Sequence, residues 1–224
     1  RTRITHSLEV AQISRTLAKY FNLNEDLCET LSLAHDLGHT PFGHAGEDSL
    51  NNCMSLYGGF DHNIQTIRIV TLLENKYYNF KGLNLSIETI DGLVKHNGRV
   101  LNQDKFKSIL GKNFFKNKVN FLESPSLEAQ LASISDDIAY NSHDLEDGLR
   151  AKLYTIDDLK NIPILSKIII KHKKFIKLKG TELVLRQIIR EIINEMVNDI
   201  ILNTKKNIKN QKIYSIKDVY KSKN

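Results

Sequence analysis

Between residues 181 and 203, Leu185, Ile188, Ile189, Ile192, Ile193, Met196, Val197 and Ile200 recur every three or four positions. That spacing places them on one face of an α-helix, whereas a strand would need alternation every second residue. The same period runs through 4–21, with Ile4, Leu8, Ala11, Leu17, Ala18 and Phe21. Strand-like alternation is almost absent along the chain, so the expected fold class is all-α.

Punctuation residues divide the remainder into further helices. Asn24 caps a segment from Glu25 to about Asp36, which Gly38 stops. A turn-rich loop, His39-Thr-Pro-Phe-Gly-His44, leads to a helix from Ala45 to Tyr57, closed by Gly58-Gly59. Residues 61–75 and 86–96 read as helices. The stretch 98–122 has weak periodicity, with Phe106, Phe114, Phe115 and Phe121 as packing anchors. Ser124-Pro125 reads as a helix start, since proline in the first turn needs no donor and serine caps free amides. That helix should run to about Asp147, with Gly148 closing it. The tail after Asn203 is polar and lysine-rich apart from 213–219. No internal repeat or second domain is evident.

At 224 residues, with 41% hydrophobic and 26% charged residues, the chain is long enough for one sizeable core and is not compositionally disordered. It has no run of 18 apolar residues and no charged-then-apolar leader, so the expectation is a soluble, cytoplasmic protein with no membrane partner. It begins at Arg1, without methionine and already inside a motif, as a fragment would. Cys28 and Cys53 fall in helical apolar patterns and read as reduced core thiols; no CxxC spacing points to zinc. The net charge of +6 gathers in the second half, at Lys167, Lys171, Lys173, Lys174, Lys177 and Lys179. A solvated face explains that better than a nucleic-acid surface.

Chemistry concentrates in Ala34-His35-Asp36-Leu37-Gly38-His39. Neighbouring helical residues point about 100° apart, so an imidazole and a carboxylate can converge on one ion where glycine releases the chain. His6 lies near the start of the preceding helix, and antiparallel packing would bring it beside His35 and Asp36. Much later, Asp136 and Asp137 interrupt an otherwise apolar helix, where a buried carboxylate needs a cation or a partner. Asp136, Tyr140 and Asp144 are spaced by four and share one face. Lys95 and His96, after Gly92, read equally as a phosphate-reaching pair or as ordinary helix-end residues. His143 and His172 read as surface or packing residues.

Four stretches, in order, resemble the deoxynucleoside triphosphate triphosphohydrolases, the dGTPase-like members of the HD superfamily. They are Arg1-Thr-Arg-Ile-Thr-His-Ser-Leu-Glu-Val10, His35-Asp-Leu-Gly-His-Thr-Pro-Phe-Gly-His-Ala-Gly-Glu47, Gly58-Gly-Phe-Asp-His-Asn63, and Asp136-Asp-Ile-Ala-Tyr140 with Asp144. The resemblance covers residues 1–150. It implies an HD-domain helical bundle whose catalytic core is 1–150, with 151–224 a helical C-terminal extension of the same domain, truncated relative to the family.

The resemblance implies a metal held by His6, His35, Asp36 and Asp136. Asp137 is the alternative ligand, but the family's tyrosine and aspartate follow the metal aspartate at four and eight positions, which Tyr140 and Asp144 satisfy from Asp136. It assigns catalysis to His44, oriented by Glu47, and places His39 and His62 beside a triphosphate and Arg3 on a phosphate. Tyr140 and Asp144 would hold a sugar 3′-hydroxyl, the tyrosine ring crowding out a 2′-hydroxyl. Two imidazoles and two carboxylates suit Mn2+, Mg2+ or Fe2+ better than structural zinc. A bound ion of this kind lowers the pKa of water, to ~7 in carbonic anhydrase. The implied reaction is hydrolysis of dGTP or other dNTPs to deoxynucleoside and inorganic triphosphate. The implied partners are an activating nucleotide and further copies of the chain in a homo-oligomer; the basic stretch 167–179 adds single-stranded DNA as an expected partner. The alternatives are another HD phosphohydrolase, either a nucleotide monophosphatase or a cyclic-nucleotide phosphodiesterase, or a non-catalytic module binding nucleotide or nucleic acid.

Overall fold

The computed structural model describes residues 2–111 and 119–222. All regular structure among these residues is helical. Helix α1 (Arg3–Phe21) starts at Thr2, whose hydroxyl accepts from the Thr5 amide, and stops at Asn22 in the left-handed region. Helix α2 (Glu25–Ala34) starts at Asn24, whose side chain accepts the Leu27 amide at 3.0 Å. Glu25 and Asp26 complement its positive end. The three residues between them force α1 and α2 into an antiparallel pair.

The long helix α7 (Leu127–Arg150) packs across both. Val10, Ile13, Leu17, Cys28, Leu131 and Ile138 form their shared core, each large side chain contributing roughly 1.5–3 kcal/mol. On the other face of α2, Leu31 meets α4 (His62–Arg68) and α5 (Ile87–Val94) through Ile64, Ile67, Ile90 and Leu93. Phe106 of α6 (Asp104–Leu110) and Phe121 pack edge-on at 5.6 Å in that core; Phe114 and Phe115 lie outside the described residues. A third cluster joins α8 (Pro163–Lys173) to the first half of α10 (Thr181–Asn210) through Leu165, Ile169, Leu185 and Ile188. The short α9 (Ile176–Lys179) lies between them, and α11 (Ile216–Lys221) ends the described chain. The second half of α10 returns to the α1–α7 core through Met196, Val197 and Ile200.

Several boundaries differ from the sequence expectation. The cap of α7 is Ser126, which accepts the Ala129 amide at 3.2 Å. Ser124 is buried and instead takes the Arg99 guanidinium at 2.7 and 3.0 Å. Gly148 does not close α7: it lies within the helix, where an added Cβ would sit 2.2 Å from the Tyr154 hydroxyl. Its glycine is a close-approach requirement, not a stop signal. Helix α2 ends at Ala34, and residues 35–38 form a turn. The helix expected at 45–57 is α3 (Gly43–Cys53) followed by a short 3-10 turn, and α4 passes into a π-helical turn, Ile69–Leu73. The polar pattern after Asn203 does not end α10, which continues to Asn210. Cys28 is a buried thiol, pushed up to about 11 by burial. Cys53 is exposed, so it is not a core thiol; none of the residues of α3 is buried. No helix among the described residues is long and apolar enough to cross a membrane.

Candidate metal centre

The α1–α2 pairing sets the start of α1 beside the end of α2, and α7 crosses both. His6, His35 and Asp136 therefore converge, with one potential ligand atom from each lying within 4.8 Å of the others. His6 Nε2 is 2.8 Å from Asp136 Oδ1. His35 Nε2 is 3.5 Å from that oxygen and 3.3 Å from Asp36 Oδ1. The four residues chosen from the sequence are thus brought together. Asp137, the alternative ligand, is exposed on α7.

His35 defines the chemistry most sharply. Its Nδ1 lies 2.8 Å from the Ser32 carbonyl, an acceptor only, so Nδ1 carries the proton and donates. That leaves the Nε2 lone pair facing inward, and Nε2 is buried without a hydrogen-bond partner. A second nitrogen anchored to a backbone carbonyl is the usual support of a metal-binding imidazole. Burial disfavours a proton on His35, but Asp136 and Asp36 outweigh it and raise its pKa. Burial likewise works against the charged Asp136; His35, His6 and His96 overcome it and hold the carboxyl well below its usual range. The pocket is thus built for positive charge between its imidazoles and carboxylates.

Sequence reasoning left His96 outside the site, yet its ring stacks on His35 at 4.9 Å and its Nε2 lies 3.5 Å from Asp136 Oδ2. Its position just past α5 was visible; the packing of α5 on α2 and α7 that aims it inward was not. Lys95 does not reach outward for phosphate: it is 1% exposed and pairs with Asp91 at 2.7 Å. His143 is also no ordinary surface residue. Its ring is 5.6 Å from that of His6 and its Nε2 bonds Glu9. His172 is a packing residue, buried and bonded to Glu191.

The loop from 36 to 47 forms a second group with α4. Gly38 lets it lie flat: a Cβ there would sit 2.1 Å from the His62 carbonyl oxygen. Thr66 ties the turn down, accepting the Gly38 amide at 2.9 Å and donating to the His35 carbonyl at 3.0 Å. Arg3 braces the loop from α1 by donating to the carbonyls of His39, at 2.7 Å, and of Thr40. Phe42, 90% exposed, takes a left-handed conformation with φ 68° where α3 begins, a strained geometry of the kind that collects at functional loops.

Within this group Glu47 engages His62 more closely than His44. Its carboxylate accepts the His62 amide at 2.8 Å and contacts His62 Nδ1 at 2.8 and 3.0 Å, while His44 Nδ1 is 3.6 Å away. His44 is exposed, its ring 5.5 Å from that of His39. Tyr140 and Asp144 lie one and two turns beyond Asp136 on an exposed stretch of α7. Asp144 raises the phenol's pKa by its charge and by a hydrogen bond. A cleft of about 650 Å³ between α7 and α10 is lined in part by Glu9, Arg150, Arg186 and Arg190; neither histidine group lines it, so it is not where this chemistry is concentrated.

The family profile described as HD domain matches residues 3–141. Over 220 residues the chain is 59% identical to a deoxyguanosinetriphosphate triphosphohydrolase-like protein of Pelagibacter ubique (strain HTCC1062), covering 98% of this chain and 59% of that protein. It is 56% identical over 169 residues to a protein of the same description from Bradyrhizobium sp. (strain ORS 278), covering 75% of this chain and 43% of that one. A third, from Bartonella tribocorum (strain CIP 105476 / IBS 506), is 48% identical over 233 residues and 57% covered. The chain therefore spans at most about three-fifths of the length of these relatives. The histidines and aspartates that converge here fall inside the profile's match, and the chain belongs to the HD domain family, with the deoxyguanosinetriphosphate triphosphohydrolase-like proteins as its similar relatives.

Proposed function

We propose that the chain carries the catalytic centre of a metal-dependent phosphohydrolase that cleaves deoxynucleoside triphosphates to deoxynucleoside and inorganic triphosphate. The observation that carries this reading is the convergence of His6, His35, Asp36 and Asp136, in which the buried Nε2 of His35 makes no well-formed hydrogen bond yet lies 3.3 and 3.5 Å from two carboxylate oxygens. A buried nitrogen without a well-formed hydrogen bond is costly unless something binds it, and a mixed imidazole–carboxylate set fits Mn2+, Mg2+ or Fe2+. When bound, such an ion supplies an acidified water and neutralises charge at phosphorus.

The chain's own residues would do the rest. Exposed His44 can meet the departing 5′-oxygen and deliver its proton, a contribution worth ~10²–10⁴-fold. His39, His62 and Arg3 border the same loop and supply donors for the triphosphate oxygens. Tyr140 and Asp144, one turn apart on α7 and interacting with each other, offer a hydroxyl and a carboxylate to the 3′-hydroxyl of a deoxyribose. Lys171 and Lys173 of the basic stretch are already paired with Glu191 and Asp157, which favours a catalytic reading over a nucleic-acid-binding one.

The test is product analysis. Protein stripped with chelator and reloaded with Mn2+ is incubated with dGTP, dATP, dCTP and dTTP, and the phosphate products are separated. Tripolyphosphate in step with free deoxynucleoside is expected. Orthophosphate from nucleoside monophosphates, or turnover of cyclic nucleotides alone, would replace this reaction with another HD phosphohydrolase chemistry.

A further inference from the structure

His96 has little backbone support for a side chain aimed so closely. Helix α5 ends at Val94, Lys95 caps it outside the helical region, and the His96 amide reaches the Leu93 carbonyl only at 3.4 Å. Gly98 then turns the chain with φ 92°. Side chains on both sides of His96 tie this turn to α11. The buried Lys95 pairs with Asp91 at 2.7 Å, its ammonium 5.7 Å from the centre of the Tyr220 ring, within cation–π range. Arg99 donates to the Ser124 hydroxyl at 2.7 and 3.0 Å and to the Ser222 carbonyl. Ser124 in turn donates its hydroxyl to that carbonyl at 2.8 Å and its amide to the Tyr220 carbonyl at 3.2 Å.

The simplest account is that these contacts only fasten α11, since a six-residue helix has no stability of its own. Burial of Val219, and the hold of the Asp218 carboxylate on the Ser215 amide at 2.9 Å, already serve that end. Neither draws on the turn after α5. The guanidinium is planar and rigid, so a fork on two acceptors fixes Arg99 in direction as well as in distance. With Lys95 and Arg99 both held, the residue between them that faces Asp136 is held too, and that residue is His96.

We propose that Arg99 is a positioning residue of the metal centre: by joining α11 to the turn after α5, it holds His96 against Asp136 and so strengthens the grip of the ligand set on its ion. Arg99 is not among the groups that gather as ligands; its effect passes through His96 to the Asp136 carboxylate. A segment far downstream in the chain thereby tunes a centre built by α1, α2 and α7. The inference rests on the metal-centre reading above, and not on the identity of the substrate.

The test is a double-substitution cycle on Mn2+ affinity, read by calorimetric titration of the full chain. Arg99→Ala is expected to weaken binding by ~10-fold, the lower end for groups that orient metal ligands. In the His96→Ala background the same substitution should cost nothing further, because the side chain it positions is gone. Ser124→Ala, a smaller change at the same junction, should weaken binding by less, and again only when His96 is present. Hydrogen exchange of the metal-free chain gives a readout independent of the ion. In Arg99→Ala the amides from 95 to 100 should exchange faster while those of α1, α2 and α7 keep their protection. Wild-type Mn2+ affinity in Arg99→Ala would overturn the proposal. So would an equal loss with and without His96, which would make Arg99 a brace for the fold alone. A wild-type chain that takes up no Mn2+ would overturn it together with the metal centre. The expected cycle with no tripolyphosphate from any dNTP would leave it standing and remove the triphosphohydrolase reading.

Discussion

Buried histidines face carboxylates in two regions of this molecule, and the surroundings differ. His172 of α8 bonds Glu191 of α10 at 2.7 Å, and Glu191 is met in turn by Lys171 at 3.0 Å and Gln187 at 3.2 Å. The Glu191 carboxylate thus finds three partners within the chain, at the edge of the α8–α10 core. Around Asp136, three imidazoles from α1, the turn after α2 and the turn after α5 share one carboxylate while Asp36 adds another, and the most buried nitrogen makes no well-formed hydrogen bond to either. Both regions are well packed, so packing does not distinguish them. What does is how the carboxylate is met: the α8–α10 pair is a fastening, and the Asp136 group has the make-up of a ligand set.

The sharpest way to break that contrast is to remove the central carboxylate. Asp136→Ala is expected to abolish Mn2+ binding at the His6–His35 group and lower tripolyphosphate formation by ~10³-fold or more, since the ion supplies several kcal/mol of transition-state stabilisation. The measurement pairs an ion count with kcat/KM for dGTP. Full activity in Asp136→Ala would make the group an ordinary buried polar cluster, no different in kind from the one at Glu191.

The same contrast explains what could be read from residue order. The all-α class and most helices followed from apolar spacing, because a 3.6-residue period survives any tertiary arrangement. His6, His35, Asp36 and Asp136 were legible because they sit in ordered motifs that resemble the dGTPase-like proteins; a His-Asp pair before glycine is weak evidence on its own. His96 belongs to none of those motifs; only the packing of α5 against α2 and α7 makes it part of the group. Gly148 misled for the opposite reason. Glycine in a helix reads as a stop, but here it makes room for the Tyr154 hydroxyl, which donates to the Asp144 and Leu145 carbonyls. Cys53 shows that an apolar neighbourhood in sequence does not ensure burial when, as in α3, none of the helix's residues is buried.

A smaller effect sharpens the comparison from the edge of the ligand set. His96 supports Asp136 and stacks on His35 without being needed as a ligand. Removing groups that orient metal ligands typically lowers affinity or activity 10–100-fold. His96→Ala is therefore expected to weaken Mn2+ binding by ~10–100-fold while leaving the ion count at saturation unchanged, as read by calorimetric titration. Unchanged affinity would restrict the centre to its four first-named residues.

The smallest effect belongs to the fastening. Lys171 lowers the Glu191 carboxyl most, with burial opposing and Gln187 and His172 assisting, and it is held at about 2 against an ordinary value of 4.5. A depressed carboxyl contributes stability that is complete above its unfolded value and is lost as pH falls through the folded one. Glu191 therefore adds fully at neutral pH, and its contribution fades between about 4.5 and 2. Because its side chain is 24% exposed and that of Lys171 is 63% exposed, the amount is ~1 kcal/mol or less. Glu191→Gln should lower the denaturant midpoint slightly at pH 7, and that deficit should shrink as the pH falls below about 4. Mn2+ affinity at pH 7 should match the wild type. A substantial loss of metal binding in Glu191→Gln would mean that the α8–α10 fastening and the ligand set are mechanically coupled through α10, and that the two regions are not independent.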